Sequence, residues 1–244
     1  MKLTVKHYYH FGKKAKEVGR NLLSESSWDA VRINDENNET PFSIPEKRED
    51  WIKKCVGHEQ MVKRAEAIGQ FANKKGFKKI ISFGCGACFM EYNLKKQYPN
   101  IVLECSDFSP NSVRRLKEIF IESEKIYTFD MLKDGFKNEN GLLYLFHRLD
   151  ADFGNRQWKD IFKRASDSGV ESILFVPCAV DTLKSLAKAI IGRWYQVIIK
   201  RSKLSFAGYL RNKDELKHLF LSYYDLSEEL NVGDLKGFFL KIKK

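Results

Sequence analysis

Between Lys79 and Val176 the chain repeats one unit: a short apolar run, a turn, then a helical stretch. The runs are KIISF, IVLECSD, KIYTFD, LLYLFH and ESILFV. Each has strand length, and apolar residues fall on successive as well as alternate positions. Such strands need cover on both faces. Strand and helix in alternation then demand a parallel sheet with helices on both sides.

The helices between the runs carry their own punctuation. Ser109 followed by Pro110 marks a helix start, since Ser can cap and Pro suits the first turn. In NRQWKDIFKRASDSG, Asn155 reads as the cap, Trp158, Ile161, Phe162 and Ala165 face inward, and Gly169 is the stop. Upstream, Met61, Ala65, Ile68 and Ala72 share one helical face that ends at Gly76. After the fifth run the rhythm changes. NKDELKHLFL reads as a helix, then YYDLSEEL and GFFLKI read as two strands joined around Val232-Gly233-Asp234. The expected fold is a doubly wound, seven-stranded, mostly parallel α/β sheet with a C-terminal antiparallel hairpin.

Residues 1–57 read differently, as a helical and loop cap. A first helix is expected over KKAKEVGRNLLS, with Ala15, Val18 and Leu22 on one stripe, followed by a polar loop through INDENNETPFSIPEKRED. Residues 58–244 form the α/β domain, with 182–213 as a basic insertion within it.

The turn after the first strand, FGCGAC, is the chemical clue. A strand, a glycine turn and a helix aim backbone N–H groups and the helix dipole at whatever lies over the turn. Gly84 and Gly86 allow close approach to the backbone. Asp107, 23 residues after Gly84, ends the second strand, where a carboxylate beside the turn can accept from both ribose hydroxyls. Together these define a nucleoside site. Phe89 stands where a dinucleotide fingerprint needs its last glycine, and no Gly-Lys-Ser/Thr follows, so neither dinucleotides nor a P-loop fit. Cys85 and Cys88 have no second pair at zinc spacing, and no metal site is expected.

The run IISFGCGAC…LECSDFSPNSVRRL resembles the class I, Rossmann-like S-adenosylmethionine-dependent methyltransferases. The motifs cover residues 80–131, and the order of elements covers roughly 58–244. That resemblance implies S-adenosylmethionine as cofactor. It implies that Gly84, Cys85 and Gly86 wrap the methionine part, that Asp107 takes the ribose, and that Phe108 packs on the adenosine. It implies that Asp130 and Met131 flank adenine. Ser82 sits where the family usually has Asp or Glu, and Cys88 replaces a frequent glycine.

Methyl transfer mainly needs donor and acceptor held in line, with a base only where the acceptor must lose a proton. Ligands in such sheets lie at the carboxyl ends of the strands. There the fourth strand ends in LFHRLDADF. His147 is a candidate base, and Asp150 and Asp152 are candidates to orient or deprotonate an acceptor. Capping of the next helix by the two acids and simple packing of His147 explain the same residues equally well. KHYYHF near the N-terminus reads as an aromatic cluster that packs down or lines a lid.

The formal net charge is +11, which points to an anionic partner or a solvated basic surface. Thr182–Lys213 holds eight Lys and Arg and no Asp or Glu. Leu186, Ile190, Trp194 and Ile198 interleave at fours, so the stretch reads as a basic amphipathic helix. It suits a covering helix, an anionic membrane surface or an anionic acceptor. Nucleic acid is the weaker alternative, since no RNA-binding module is recognisable. The N-terminus lacks an apolar run before its charges, no window of about 18 apolar residues occurs, and the five cysteines are scattered. A cytoplasmic protein, peripheral to the membrane at most, is expected. The function expected is methyl transfer from S-adenosylmethionine to a small-molecule or saccharide-type acceptor, at oxygen. The alternatives are an RNA-directed methyltransferase and a non-catalytic binding protein on the same fold.

Overall fold

The five apolar runs are the five parallel strands of one sheet. In the computed structural model they are β2 (Lys79–Phe83), β3 (Val102–Asp107), β4 (Lys125–Thr128), β5 (Leu142–His147) and β6 (Ser172–Val176). The hairpin β8 (Tyr224–Val232) and β9 (Leu235–Ile242) completes it. The order is β4-β3-β2-β5-β6-β9-β8, and β9 is antiparallel to both its neighbours. The expected seven-stranded sheet is therefore present. The structure describes residues 2–9, 21, 23–33, 42–179, 182–195, 198 and 204–243. The helix expected over residues 13–24 lies largely outside these, as do residues 34–41 of the polar loop after it, while the last three residues of that loop, Arg48 to Asp50, are helical.

Both faces are covered, and their packing differs. On one face Ile80, Leu103, Leu143, Leu145 and Phe239 meet α3 (Glu59–Lys75), α4 (Phe89–Gln97) and α5 (Pro110–Ile119). On the other, Phe83, Tyr144, Phe146, Phe175 and Phe238 meet α6 (Asn155–Asp167) and α8 (Lys213–Phe220). Trp158 of α6 is fully buried within that aromatic layer, with its ring centroid 5.2 Å from Phe175 and 5.7 Å from Phe146. Burying one such side chain contributes about 1.5–3 kcal/mol, so the layer is a large part of the driving force. Helix signals read from the sequence hold in detail. Ser109 accepts from the Ser112 N–H at 3.1 Å, with Pro110 opening α5. The cap of α6 moves one residue, to Gly154.

The N-terminal part contains α1 (Glu25–Arg32) and α2 (Arg48–Gly57). It also contains a strand, β1 (Thr4–Tyr9), which pairs antiparallel with β7 (Ser205–Arg211). The basic stretch expected as one helical insertion thus divides into α7 (Leu183–Trp194) and β7. The reason is local. Gly208 has φ of 105°, and a Cβ there would lie 2.0 Å from the Ala151 carbonyl oxygen. The Tyr209 N–H donates to that same oxygen at 2.9 Å. A helix could not approach the β5–α6 loop so closely.

Candidate functional site

The carboxyl ends of β2 and β3 lie in register, with Phe83 opposite Ser106, so the turn after β2 sits directly beside Asp107. Gly84 and Gly86 both take left-handed backbone, with φ of 57° and 61°. A Cβ at Gly84 would lie 2.3 Å from the Leu149 side chain. Cys88 caps α4 with φ of 55°, also left-handed, which explains why glycine is the easier residue at that place. From below, the Trp51 indole N–H donates to the Ala87 carbonyl at 2.9 Å and fixes the turn to α2.

Asp107 is the electrostatic centre of the site. One carboxylate oxygen accepts from the Gly86 N–H at 3.0 Å and the other from the Ser109 N–H at 3.0 Å. Arg32 reaches both, its Nη1 lying 2.9 Å from Oδ1 and 3.0 Å from Oδ2. The guanidinium stacks on Trp28, 4.4 Å from the ring centroid. Helix α1 is held there because Asp29 accepts from Ser109 at 2.7 Å and from Asn111 at 2.8 Å.

Beside this cluster lies a cavity of about 350 Å³. Gly84, Asp107, Phe108, Asp130, Met131 and Asp152 all line it, so the topology gathers six of the eleven site residues expected from sequence. Asp130 is held at the end of the β4 segment. Its Oδ1 accepts from the Leu132 N–H at 2.9 Å, and Lys133 pairs with it at 2.9 Å. Burial acts to raise its pKa, but Lys133 and the Leu132 N–H outweigh it and hold the acid below its ordinary range. Asp152 is partly buried in the wall. Burial, with Asp150 and Asp107 nearby, pushes its pKa up to about 7 against the opposing charge of Arg32.

The other five lie off the cavity. Gly86 acts through its N–H to Asp107. The Cys85 N–H donates to the Ser106 carbonyl at 2.9 Å, and its side chain packs against the core. Ser82 is buried beneath the turn and donates to Glu91 Oε1 at 2.7 Å. Asp150 is turned away, its Oδ1 accepting from the Cys178 N–H at 2.5 Å. His147 points toward Arg64 and Asp234 on the opposite side of β5. Its Nε2 is buried without a hydrogen-bond partner among the described residues, and burial with the Arg148 and Arg64 charges drives its pKa down to about 3. Asp150 and Asp152, expected either to orient or deprotonate an acceptor or to cap the next helix, thus lie in different surroundings, and the cap of α6 is Gly154.

Sequence reasoning missed Trp28, Arg32, Phe129, Leu149, Phe153 and Tyr209, which also line the cavity. Phe129 and Leu149 follow strands β4 and β5 directly and were within reach of strand-end reasoning. Trp28, Arg32 and Tyr209 arrive from α1 and β7, and no motif announces them.

A glycine turn, an acid at the end of the neighbouring strand and a reversed C-terminal hairpin define the fold of the class I S-adenosylmethionine-dependent methyltransferases. Solved structures of that fold match this chain. The mitomycin 7-O-methyltransferase MmcR is 12% identical with a TM-score of 0.57, over 88% of this chain and 62% of its own. Human N-acetylserotonin methyltransferase, solved in complex with S-adenosylmethionine, is 16% identical with a TM-score of 0.55, over 94% of this chain and 64% of its own. Magnesium protoporphyrin IX methyltransferase from Synechocystis PCC 6803, solved with bound S-adenosylhomocysteine, is 12% identical with a TM-score of 0.52, over 77% and 84%. The chain spans about half to two thirds of the length of most of the structures it matches. No protein-family model and no curated protein sequence matches it.

Proposed function

We propose that the chain transfers a methyl group from S-adenosylmethionine to a hydroxyl oxygen of a small-molecule or saccharide-type acceptor. The observation that carries this is the placing of Asp152, poised near neutrality, in the same cavity as Asp107 and the glycine turn.

The residues present fit the cofactor. Asp107 is an acceptor for ribose hydroxyls, and Gly84, packed on Leu149 where a side chain would have no room, lines the same cavity. Phe108 and Phe129 offer apolar faces to a base, and Asp130 can accept from an exocyclic amine. When bound, the cofactor supplies a methyl group already activated on a sulfonium, so no further electrophile is required. The protein then positions the acceptor and manages one proton. Trp28, Phe153 and Tyr209 form an apolar wall that excludes water from the acceptor side. Asp152 takes the proton from the acceptor hydroxyl, because a carboxyl with a pKa near working pH is both ionised and basic enough. The aromatic wall also suits a planar acceptor or the apolar face of a sugar ring.

The test is thermal unfolding with S-adenosylhomocysteine. Binding to the native state raises Tm by mass action, and Asp107→Ala should abolish the rise. An unchanged Tm in the parent protein at millimolar ligand would sink the proposal.

A further inference from the structure

Helix α7 turns an apolar face to solvent. Ile191 is 67% exposed, Trp194 61% and Ile198 58%. Within α7, Lys184, Lys188, Ile191 and Trp194 follow one another at spacings of four, three and three, which sets them along one side of the helix, and Ile198 lies beyond its end. Both lysines are exposed. Five of the nine most exposed large hydrophobics among the described residues fall between Ile190 and Ile198. The other four, Val56, Val102, Ile121 and Leu221, are scattered, as single surface hydrophobics normally are.

The rotation of the helix is fixed from the inside. Arg193 lies over the Tyr8 ring at 4.3 Å, and Val5, Ile190, Arg193 and one edge of Trp194 line a small cavity between α7 and β1. With that side committed to β1, Ile191 points outward, and Trp194 sits at the border with most of its surface in solvent.

We propose that this face docks the chain on an anionic lipid bilayer. Three features select that partner. Ile191 and Ile198 gain only by leaving water and have nothing to read on a phosphodiester backbone. Trp194 stands between the two isoleucines in sequence, and indole favours the boundary between hydrocarbon and headgroups. No carboxylate occurs from Thr182 to Lys213, while Lys200, Arg201 and Lys203 follow the helix in sequence. A second copy of the chain would bring one acid-free face against another. An anionic leaflet neutralises the cations and attracts each lysine or arginine that lies near it. A short basic helix with an aromatic and aliphatic face lies flat in that interface rather than crossing it. Among the described residues no helix is long and apolar enough to cross a membrane.

Docking there has a consequence for the site. Helix α7 packs on β1, β1 pairs with β7, and Tyr209 of β7 lines the site cavity. The bilayer would thus be met by the elements that form the acceptor wall. The inference stands whether or not the chain transfers methyl groups.

The experiment is co-sedimentation of the full chain with large unilamellar vesicles. Phosphatidylcholine alone is compared with a phosphatidylcholine–phosphatidylglycerol mixture, at low and physiological salt. Binding is expected to the mixture and to fall with salt. Ile191→Ser with Trp194→Ser, and separately Lys184→Glu with Lys188→Glu, should each weaken it by about tenfold or more. Both pairs are exposed, so circular dichroism melts should match the parent. No binding to the anionic mixture at low salt would overturn the inference. So would binding that survives Ile191→Ser with Trp194→Ser. A parent dimer by light scattering that the same double variant dissociates would assign the face to a second copy instead. Binding to single-stranded RNA that this variant abolishes, with vesicles left unbound, would assign it to nucleic acid. The thermal shift with S-adenosylhomocysteine is read in parallel, so failure of one proposal leaves the other standing.

Discussion

Ser82 Oγ donates to Glu91 Oε1 at 2.7 Å, joining the last turn of β2 to the first turn of α4 beneath the glycine turn. The acid missing from the strand position is matched by an acid on the helix nine residues later. Sequence alone showed only the loss.

Glu91 is buried, and burial together with the Cys85 and Asp107 charges pushes its pKa up to about 8, against the Ser82 hydrogen bond. Unfolded, the same group loses its proton near 4.5. Between those values the folded chain holds more protons than the unfolded chain, so stability must fall as pH rises. Glu91→Gln keeps a hydrogen-bonding partner for Ser82 and removes the titration. Its Tm should decline less than that of the parent between about pH 5 and about pH 8, and should exceed it at the upper end. Parallel Tm profiles would show that Glu91 is ionised throughout.

If Asp107 takes the ribose, Arg32 and the ribose hydroxyls would compete for the same two oxygens, whose remaining capacity is taken by the Gly86 and Ser109 N–H groups. Removing Arg32 leaves a buried carboxylate with backbone donors only. Arg32→Ala should cost about 3 kcal/mol, or roughly 6–12 °C in Tm. The rise in Tm produced by S-adenosylhomocysteine should then be larger than in the parent, because its ribose no longer has to displace a cation. A variant that has lost the rise altogether would make Arg32 a cofactor ligand rather than a competitor.

The sheet was legible because its signals are local. KIISF, LLYLFH and ESILFV have no periodicity but a strand's length, and Ser109-Pro110 states a helix start outright. Gly84 and Asp107 were legible because strand ends and turn residues fix their own geometry. The rest was hidden for a physical reason. Strand β7 is held by contacts with β1 and Ala151, and its residues sit in a lysine-rich stretch whose charges mask the alternation. Arg32 meets Asp107 across 75 residues, a separation no motif spans. His147, Asp150 and Asp152 look equivalent in LFHRLDADF, yet the β-strand alternation sends His147 to one face while the turn after β5 sends Asp152 into the cavity.

That divergence gives a kinetic prediction. If Asp152 is the base, kcat/KM rises about tenfold per pH unit below about 7 and levels off above it, since only the ionised carboxylate accepts the proton. Asp152→Asn should lower kcat by about 10²–10⁴ and leave the thermal shift with S-adenosylhomocysteine intact. His147→Gln should leave the profile unchanged. A profile that is flat through neutrality would show that the acceptor needs no base.

Glycine at position 84 is demanded twice, by its φ of 57° and by Leu149 at 2.3 Å from the Cβ it lacks. Gly84→Ala therefore meets left-handed strain of about 1–2 kcal/mol and must also move the Leu149 side chain into the cavity. Gly192, inside α7, is the contrasting case, with nothing within 4 Å of the place a methyl group would occupy and ordinary helical backbone. Gly192→Ala should stabilise the chain by about 0.5–1 kcal/mol, because alanine loses less backbone entropy in a helix. The pair separates folding from binding. Gly84→Ala should lower Tm and erase the response to S-adenosylhomocysteine, whereas Gly192→Ala should raise Tm and keep it. A full ligand response in Gly84→Ala would remove the glycine turn from the cofactor site.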